Sequence, residues 1–353
     1  MKTINGYLMS RDQKIAQIKN DQLMPIEPNL LPLYLQRNGS LVEWLESRAI
    51  DRHRTNSRLL KRVLRLTTAD DAEVAMRVNG STITDTFWIC LDEEPDLTYE
   101  QVRFHQNVFD NLALLGDPDS FNRVNRPELQ NSRTPELTNI GSFEKCWRRE
   151  AGQWWLYKLG NELEIFSELF IHELGRLLDF DMAYCTGWEK GVKSRDFTEG
   201  ARFNYEPARS LVGDEVDYIF NYRRIRELAA AMGKDYLDIL FLDTVCFNMD
   251  RHTENYGFLR DPQTGVFLRM APNFDNNIAL ISKGYPSDID RKNDLFIHDF
   301  LELLDAIDEN YAIPELNQQM ILQAIAKVPI KVDAAYVADF ILNGYEQVRD
   351  HFK

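Results

Sequence analysis

The sequence predicts an α+β protein in which a short β-rich segment is followed by a larger, mostly helical one. Strands are indicated by the aromatic and apolar residues around Trp147 and at 154–158. A hairpin is indicated where Tyr256–Leu259 and Val266–Met270 flank the turn sequence Asp-Pro-Gln-Thr-Gly. Helices are indicated by amphipathic patterns with acidic outer faces near the end of the chain, at Leu295–Glu309, Pro314–Val328 and Ala334–Phe352.

Composition and charge restrict the class of protein. The 353 residues are 44% hydrophobic and 27% charged, which is typical of a globular chain large enough for two or three cores. The formal net charge of −15 argues against a general nucleic-acid or anionic-membrane binder, so we expect neither direct DNA binding nor membrane association. No apolar run is long enough to span a membrane, and the N-terminus lacks the apolar core of a signal peptide. Four scattered cysteines without a CxxC pair favour a reduced, cytoplasmic protein.

Residues 1–130 have the character of an accessory region. Gly6–Ser10 and Lys14–Ile18 predict a hairpin around Arg11-Asp12-Gln13. The sequence from Ser40 to Glu43 is a capping box that begins a helix. A second helix is predicted over Thr98–Leu115, and the Asp-, Asn-, Pro- and Arg-rich stretch 116–134 predicts a boundary.

The same region holds the one basic run of the chain. Its members are Arg48, Arg52, Arg54, Arg58, Lys61, Arg62 and Arg65. Such runs are usually solvated helix faces, which is the favoured interpretation. The alternative is a docking face for an acidic partner or RNA.

A candidate phosphate-binding segment follows. Gly141-Ser142-Phe143-Glu144-Lys145 is a short turn before a strand, and a glycine turn between strands can present backbone N–H groups to phosphates. Lys158, late in the next strand, could reach the same phosphates or simply be a strand-edge lysine. No GxxxxGK[ST] sequence occurs, which excludes a P-loop NTPase.

Helical spacing continues beyond Lys158. Ile165–Leu178 predicts a helix in which Glu168 could pair with Lys158, with Glu162, Glu164 and Glu173 as rival partners. Asp181–Gly200 would connect to further helices, predicted at Tyr222–Met232 and Tyr236–Met249.

Three polar residues in apolar surroundings, Asp250, Asn255 and Asp275, are the main candidates for chemistry. Phosphoryl transfer from ATP needs one carboxylate to orient a hydroxyl, and a second carboxylate plus an amide oxygen to hold magnesium. One short loop can aim Asp250 and Asn255 into a single cleft, and the predicted hairpin would fold Asp275 back beside Asn255. The alternative is a buried polar turn in which these side chains act as caps.

Taken together, these segments resemble the HipA-like serine/threonine kinases, including the small stand-alone forms. The resemblance covers about residues 130–280 and rests on five segments in the same order and spacing: PELTNIGSFEKCWRRE, WLYK, SELFIHELGRLL, NMDRHTENYGFL and APNFDNN. It implies a two-lobed protein-kinase-like fold, with an N-terminal accessory region at 1–130, a small β-rich ATP lobe at 131–192 and a helical catalytic lobe at 193–353.

The resemblance also implies roles for individual residues. Asp250 would be the catalytic base, beside His252, while Asn255 and Asp275 would hold Mg²⁺. Lys158 would contact the ATP phosphates and Glu168 would position it. The nucleotide would further meet Gly141, Ser142, Phe143 and Lys145 over the phosphates, and Asp196 and Phe197 beside adenine.

The family implies regulation and partners as well. HipA toxins phosphorylate a serine of their own phosphate loop, for which Ser142 is the candidate here, although this loop departs from the toxin pattern. The substrate would be a protein, and an antitoxin-like partner protein is implied. Because Asn276-Asn277 follows Asp275 in place of Phe-Gly, we do not expect activation through a long phosphorylated loop.

Three functions therefore compete. The first is an ATP- and magnesium-dependent protein kinase. The second is a phosphatidylinositol-type lipid kinase, since Asp250-Arg251-His252-x-x-Asn255 equally resembles the catalytic loop of that class, although the acidic charge counts against it. The third is a non-catalytic nucleotide-binding or partner-binding protein on a kinase scaffold.

Overall fold

The chain folds into a mixture of short antiparallel strands and helices. The structure, a computed structural model, describes residues 3–37, 39–67, 70–307 and 310–351. The strands are β1 Gly6–Ser10, β2 Gln13–Lys19, β3 Gln22–Pro25, β4 Phe87–Leu91, β5 Lys145–Glu150, β6 Gln153–Leu159, β7 Cys185–Trp188, β8 Gly191–Arg195, β9 Asn204–Pro207, β10 Gly257–Arg260 and β11 Phe267–Met270. They form sheets with the orders β3-β2-β1-β4, β5-β6-β8-β7 and β11-β10-β9.

α-Helices occur along the whole chain. They are α1 Leu33–Arg37, α2 Leu41–Ser47, α3 Thr55–Val63, α4 Asp71–Met76, α5 Tyr99–Val102, α6 Asp110–Leu115, α7 Pro118–Val124, α8 Glu162–Leu177, α9 Arg209–Val212, α10 Tyr218–Leu228, α11 Met232–Val245, α12 Leu295–Ala306, α13 Gln318–Lys327 and α14 Ala334–Asp350. Short 3-10 turns occur at Pro28–Leu30, Pro127–Leu129 and Pro135–Thr138. No helix among the described residues is long and apolar enough to cross a membrane.

The chain divides into two compact units, each built from three stretches. Unit 1 comprises 1–159, 193–206 and 259–266, and unit 2 comprises 160–192, 207–258 and 267–353. The change of unit at 192/193 coincides with a predicted lobe boundary, whereas the predicted boundary at 130/131 lies inside unit 1. The division into accessory region, ATP lobe and catalytic lobe stays a prediction about function.

Unit 1 begins with the predicted hairpin, which the structure confirms as β1 and β2. In the antiparallel register Gly6 faces Ile18 across the hairpin and Leu91 of β4 on the other side. The apolar side chains on one face of this sheet enter one core with those of α2 to α4, which includes Trp44 and Leu45. Those on its other face, Met9, Trp88 and Cys90, form a separate cluster with Val102. Ser40 caps α2 by accepting the N–H of Glu43 at 3.3 Å, as its sequence predicts.

The predicted helix over Thr98–Leu115 is wrong, because the chain forms two short helices, α5 and α6. Asn107 lies between them, and its side chain donates to the Trp147 carbonyl at 2.8 Å and accepts the N–H of Phe109 at 3.1 Å. Asparagine side chains that bond the backbone in this way compete with helix formation. The expected boundary at 116–134 also contains a helix, α7, which the Asp117 carboxylate caps at Ser120.

The basic run is not a uniform solvated face. Arg48 is buried and pairs with Asp85 at 2.9 Å. Arg54, 1% exposed, donates to the carbonyls of Asn139 and Lys145 and lies 3.8 Å from a Glu136 oxygen. The expectation of solvation is wrong for these two, since both donate to carbonyls that the local sequence cannot reveal. The other members of the run are exposed or half-buried.

Unit 2 confirms the predicted helices, with shifted ends. α8 begins at a reciprocal capping box between Asn161 and Glu164. α11 ends at Val245 rather than at the predicted Met249, because Phe247 adopts a left-handed backbone with φ of +52°. The predicted connector at 181–200 contains strands β7 and β8.

The four cysteines of the chain are buried and free of disulfide bonds.

Removing the Arg54 side chain should destabilise unit 1 far more than removing an exposed arginine of the same run. Arg54→Ala leaves the Glu136 carboxylate buried without its cation and two carbonyls without a donor, so we expect a loss of about 3 kcal/mol or more. Arg58→Ala, at an exposed position, should stay within about 0.5 kcal/mol. Urea denaturation followed by tryptophan fluorescence measures both, and equal small losses would contradict the structural role of Arg54.

Candidate functional site

The predicted catalytic loop of unit 2 leaves the end of α11 and is anchored by backbone hydrogen bonds. Leu280 N–H donates to the Cys246 carbonyl at 2.9 Å, and Met249 N–H donates to the Ile278 carbonyl at 3.1 Å. Phe247, between them, packs its ring edge-on against Phe296 at a centroid distance of 5.1 Å. The stretches 246–249 and 278–280 therefore hold the two ends of the candidate site together.

Asp250 lies in a tight turn whose backbone is closed by hydrogen bonds. Its N–H donates to Asn248 Oδ1 at 3.0 Å. Its carbonyl accepts the N–H of His252 and Nδ2 of Asn255, each at 2.9 Å. The residue is half-exposed, so a carboxylate on a fixed backbone is accessible to a substrate hydroxyl. His252 is exposed, and its Nδ1 accepts the N–H of Glu254 at 3.2 Å.

Asn255 is oriented by the same turn. It is 7% exposed, and because its Nδ2 donates to Asp250, Oδ1 is the atom available for a ligand. Glu254, next to it, pairs with Arg209 at 3.3 Å. Burial raises the pKa of Glu254, and Arg209 offsets part of that rise.

The hairpin of β10 and β11 carries the chain to Asp275, as predicted. Asp261 Oδ1 caps the turn by accepting the N–H groups of Gln263 and Thr264, each at 2.8 Å. Asp275 is half-exposed. Its backbone is in the left-handed region, with φ of +61°, a conformation that is uncommon outside glycine and often found at functional sites. The next N–H, of Asn276, donates to the buried Glu168 carboxylate at 2.7 Å.

Arg251 joins the catalytic loop to the Asp275 segment. One nitrogen, Nη1, donates to the carbonyls of both Asn255 and Phe274, at 2.7 and 2.8 Å. These two carbonyls share a donor, so the backbones beside Asn255 and Asp275 lie close together, as the hairpin predicts. The carboxylate of Asp275 and the amide oxygen of Asn255 are hard oxygen ligands of the kind Mg²⁺ prefers, and the donor set therefore fits that ion.

Sequence reasoning assigned no role to Arg251, nor to Asp243, which binds it from α11. A signal was present, because Asp243 is an acidic residue that directly follows the apolar run Ile239–Leu242. A charge at such a position is rarely buried without a partner. The position of that partner, eight residues on in a loop, has no local signature.

The predicted phosphate-binding residues lie together in unit 1. Lys145 opens β5 and stands directly opposite Lys158 of β6, so their side chains project from the same face of the hairpin. Both lysines are about nine-tenths buried. Gly141 has φ of +102°, a conformation that favours glycine, and a Cβ there would lie 2.3 Å from Lys145 Nζ, so a larger residue would have to displace this ammonium group. Ser142 is exposed and Phe143 is half-buried.

The buried carboxylate of Glu136 binds residues on both sides of the turn at Gly141–Lys145. Glu136, with 0% exposure, accepts the N–H of Trp147 at 2.7 Å and Nδ2 of Asn139 at 2.9 Å. Arg54 Nη2 lies 3.8 Å from Oε2 of the same carboxylate. Burial raises the pKa of Glu136 to about 7, although Arg54 and these hydrogen bonds act in the opposite direction.

Asp196 and Phe197, predicted to lie beside adenine, follow β8 in unit 1. Asp196 N–H donates to the Trp154 carbonyl at 3.0 Å, so this N–H is already used within unit 1. The Asp196 carboxylate closes the following turn by accepting the N–H groups of Thr198 and Gly200. Phe197 packs edge-on against Tyr205 at 5.5 Å.

The structure thus gathers the predicted residues in two groups. Unit 2 brings together Asp250, His252, Asn255 and Asp275, with Glu168 bonded to the residue after Asp275. Unit 1 brings together the Gly141–Lys145 turn and Lys158. The pairing of Lys158 with Glu168 stays a prediction.

Comparison with known proteins identifies the fold. No protein-family model matches the sequence, and no curated protein is detectably similar to it. HipA of the Shewanella oneidensis MR-1 toxin–antitoxin system, solved with HipB and operator DNA, superposes over 99% of this chain and 97% of its own, with a TM-score of 0.55 and 13% identity. The Helicobacter pylori proinflammatory kinase CtkA matches 57% of this chain and 89% of its own, with a TM-score of 0.43 and 16% identity.

The likeness to HipA confirms the predicted fold class. The chain has the mixed α/β fold of that protein, with antiparallel sheets and a helical C-terminal part. At 13% identity this likeness concerns the fold alone, and the likeness to CtkA is too distant to support an argument about this chain.

The buried Glu136 should make the stability of unit 1 depend on pH. Between pH about 4.5 and 7 the folded carboxyl keeps a proton that the unfolded chain has released, so the free energy of unfolding should fall as pH rises through this window. The fall should be on the order of 3 kcal/mol. Glu136→Gln cannot ionise and should lose this component, which urea denaturation at pH 5, 6, 7 and 8 would measure. Parallel pH profiles for the two proteins would contradict the prediction.

Proposed function

We propose that this protein is an ATP- and magnesium-dependent serine/threonine protein kinase of HipA-like type. The observation that carries the proposal is the pair of hydrogen bonds from one Arg251 nitrogen to the carbonyls of Asn255 and Phe274. This contact keeps the backbone of Asn255 close to the residue before Asp275, so that an amide and a carboxylate on the two segments could bind one cation, and Asp250 lies in the same loop as Asn255. The kinase-like fold supports the proposal, and fold alone does not give activity.

In this proposal each residue of unit 2 has one task. Asp250 accepts a hydrogen bond from the substrate hydroxyl and takes its proton as that oxygen bonds to the γ-phosphorus, while the bond from the γ-phosphorus to the β,γ-bridging oxygen breaks and ADP leaves. Asn255 Oδ1 and the Asp275 carboxylate would hold Mg²⁺, which neutralises charge on the phosphates when bound. Glu168 fixes the backbone after Asp275 through Asn276 N–H. His252, exposed beside Asp250, would contact the acceptor or the γ-phosphate.

The residues of unit 1 would bind the nucleotide. The ammonium groups of Lys158 and Lys145 project from one face of the β5–β6 hairpin and suit the charge of a polyphosphate. Gly141, Ser142 and Phe143 would cover the phosphates. Adenine would meet the carbonyl of Asp196 and the backbone of Phe197, because the Asp196 N–H is already bonded to Trp154.

A protein hydroxyl is the favoured acceptor. Unit 2, which holds Asp250, contains 16 Lys and Arg against 30 Asp and Glu, a difference of −14. An anionic membrane repels such a surface, which weighs against the lipid-kinase alternative. The substrate would therefore be a protein in the cytoplasm, and an antitoxin-like protein remains a proposed partner.

Different roles for Asp250 and Asp275 can be tested directly. Asp250→Asn should spare magnesium-dependent ATP affinity and lower turnover by about 10²–10⁴-fold, the usual contribution of a positioned base. Asp275→Asn should lower turnover and also weaken the magnesium-dependent part of ATP binding, because a charged metal ligand is lost. Calorimetric ATP titration with and without Mg²⁺, beside a phosphoryl-transfer assay, measures both.

The same experiment separates the competing functions. If the wild type does not bind ATP at millimolar concentration with Mg²⁺, the kinase proposal is rejected. If it binds ATP but transfers phosphate to neither protein nor lipid, the non-catalytic alternative is favoured. Transfer to phosphatidylinositol vesicles but not to protein would favour the lipid kinase. Full activity of either variant would refute the assigned site.

Gly141 offers an independent test of the phosphate loop. Gly141→Ala must displace the Lys145 ammonium, so we expect about tenfold weaker Mg²⁺–ATP binding, near 1.4 kcal/mol. Gly152→Ala is the matched control, because Gly152 also has positive φ, +84°, but nothing lies within 4 Å of its added Cβ. Calorimetry on both variants measures the difference. Equal ATP affinities in the two variants would remove Gly141 and Lys145 from the nucleotide site.

A further inference from the structure

The Arg251 side chain donates hydrogen bonds to five residues of unit 2: Asp243, Asn255, Asn273, Phe274 and Asn276. Its side chain is 2% exposed and lies immediately after Asp250. Nε and Nη2 bind the two oxygens of Asp243, at 2.7 and 2.9 Å, which anchors the guanidinium on α11. This is the bidentate geometry that the planar guanidinium of arginine provides and lysine cannot.

The other donors reach the residues that flank the predicted metal ligands. Nη1 donates to the carbonyls of Asn255 and Phe274. Nη2 donates to Oδ1 of Asn276 at 2.6 Å and to Oδ1 of Asn273 at 3.0 Å. One side chain therefore holds the backbone of Asn255 and residues on both sides of Asp275.

We propose that Arg251 is the positioning residue of the site, which ties α11, the catalytic loop and the Asp275 segment into one rigid piece and so sets the separation of Asn255 and Asp275. It touches neither the nucleotide nor the acceptor in this role. The consequence for catalysis rests on the proposed function, whereas the consequence for loop rigidity does not.

The electrostatics of the site agree with this geometry. Burial by itself would lower the pKa of Arg251, but Asp243 above all, with Asp275 and Glu168, keeps it above its usual value. A permanent positive charge thus lies among three carboxylates, which reduces their mutual repulsion before any cation binds. Groups held in this way around a metal ligand typically change metal affinity or activity by 10–100-fold when replaced.

Arg291 provides a matched control within unit 2. It is 2% exposed, pairs with Asp294 at 2.7 Å and donates to the carbonyls of Thr244 and Val245 at the end of α11. It thus resembles Arg251 in burial, ion pairing and attachment to α11. Its hydrogen bonds in the described part of the chain go to neither the catalytic loop nor residues 273–277.

The first experiment compares Arg251→Lys with Arg291→Lys in the full chain without nucleotide. Backbone hydrogen exchange should rise in 250–256 and 273–277 of Arg251→Lys, by about tenfold or more at the Asn276 amide, and stay at the wild-type rate there in Arg291→Lys. Both variants lose a buried arginine–aspartate pair and hydrogen bonds to backbone carbonyls, so a general loss of stability in unit 2 would raise exchange over these segments in both proteins. That result would overturn the proposal.

The second experiment measures the dependence on metal. With ATP present, a titration of MgCl₂ followed by thermal shift should show about 10–100-fold weaker apparent Mg²⁺ affinity in Arg251→Lys and no change in Arg291→Lys. Unchanged Mg²⁺ affinity in Arg251→Lys would also overturn the proposal. If the wild type gives no shift with Mg²⁺ and ATP, the proposed function fails, and the exchange comparison still decides the role of Arg251.

Asn276→Ala keeps the proposal testable if Arg251→Lys does not fold. This change removes one acceptor of Arg251 and retains both the Asp243 ion pair and the Asn276 N–H bond to Glu168. It should raise exchange over 273–277 and weaken Mg²⁺ affinity in the same direction as Arg251→Lys, by a smaller factor. Wild-type exchange and wild-type Mg²⁺ affinity in Asn276→Ala would count against the proposal.

Discussion

The buried ion pair between Arg251 and Asp243 is the interaction on which the arrangement of the unit 2 site depends. Neither the predicted catalytic loop nor the segment around Asp275 is a helix or a strand at Asp250, Asn255 and Asp275. Their carbonyls cannot be satisfied by regular secondary structure, and buried carbonyls without donors are costly. A guanidinium fixed on α11 supplies those donors, and the strong desolvation cost of burying it is offset because Asp243 and four further acceptors bind it.

In unit 1, other buried arginines also donate hydrogen bonds to irregular backbone. Arg54 donates to the carbonyls of Asn139 and Lys145, on either side of the Gly141 turn, and lies on the buried Glu136. Arg260 pairs with Glu206 and donates to the carbonyls of Asn29, Leu31 and Gly265. In each case a buried cation, held by one carboxylate, orders irregular backbone. The loops that would carry function are therefore rigid for a reason that lies outside their own sequences.

Several features were predictable because they depend on neighbours in sequence. The β1–β2 hairpin, the Ser40 cap and the turn before β11 follow from turn chemistry and from local capping patterns. α8 begins at Glu162, three residues before the predicted Ile165, because the capping box of Asn161 and Glu164 precedes its apolar positions. The placement of the candidate residues Asp250, Asn255 and Asp275 was predictable for a related reason, since the first two share one short loop and a hairpin precedes the third; their roles stay predictions. Errors arose where distant groups bind the backbone or its neighbours. The Trp147 carbonyl accepts from Asn107 in the middle of the predicted helix at 98–115. Beyond the left-handed Phe247, where α11 ends, residues 246 and 249 bond to residues 280 and 278 instead of continuing the helix.

The sequence by itself determined most of the helices and the β10–β11 hairpin, because periodicity and turn chemistry are local properties, and its five HipA-like segments indicated the fold class. The roles of the polar residues that it singled out stay predictions. Only the tertiary structure decided which charged residues are buried. Arg48 and Arg54 read as members of one solvated run, yet each is enclosed with a carboxylate from another element. The contacts of Arg251 with Asp243, Asn255 and the residues around Asp275 were likewise not predictable. A buried charge is compensated by the acceptors that the packed chain brings next to it, and the number of residues between two groups in the sequence does not determine whether they meet.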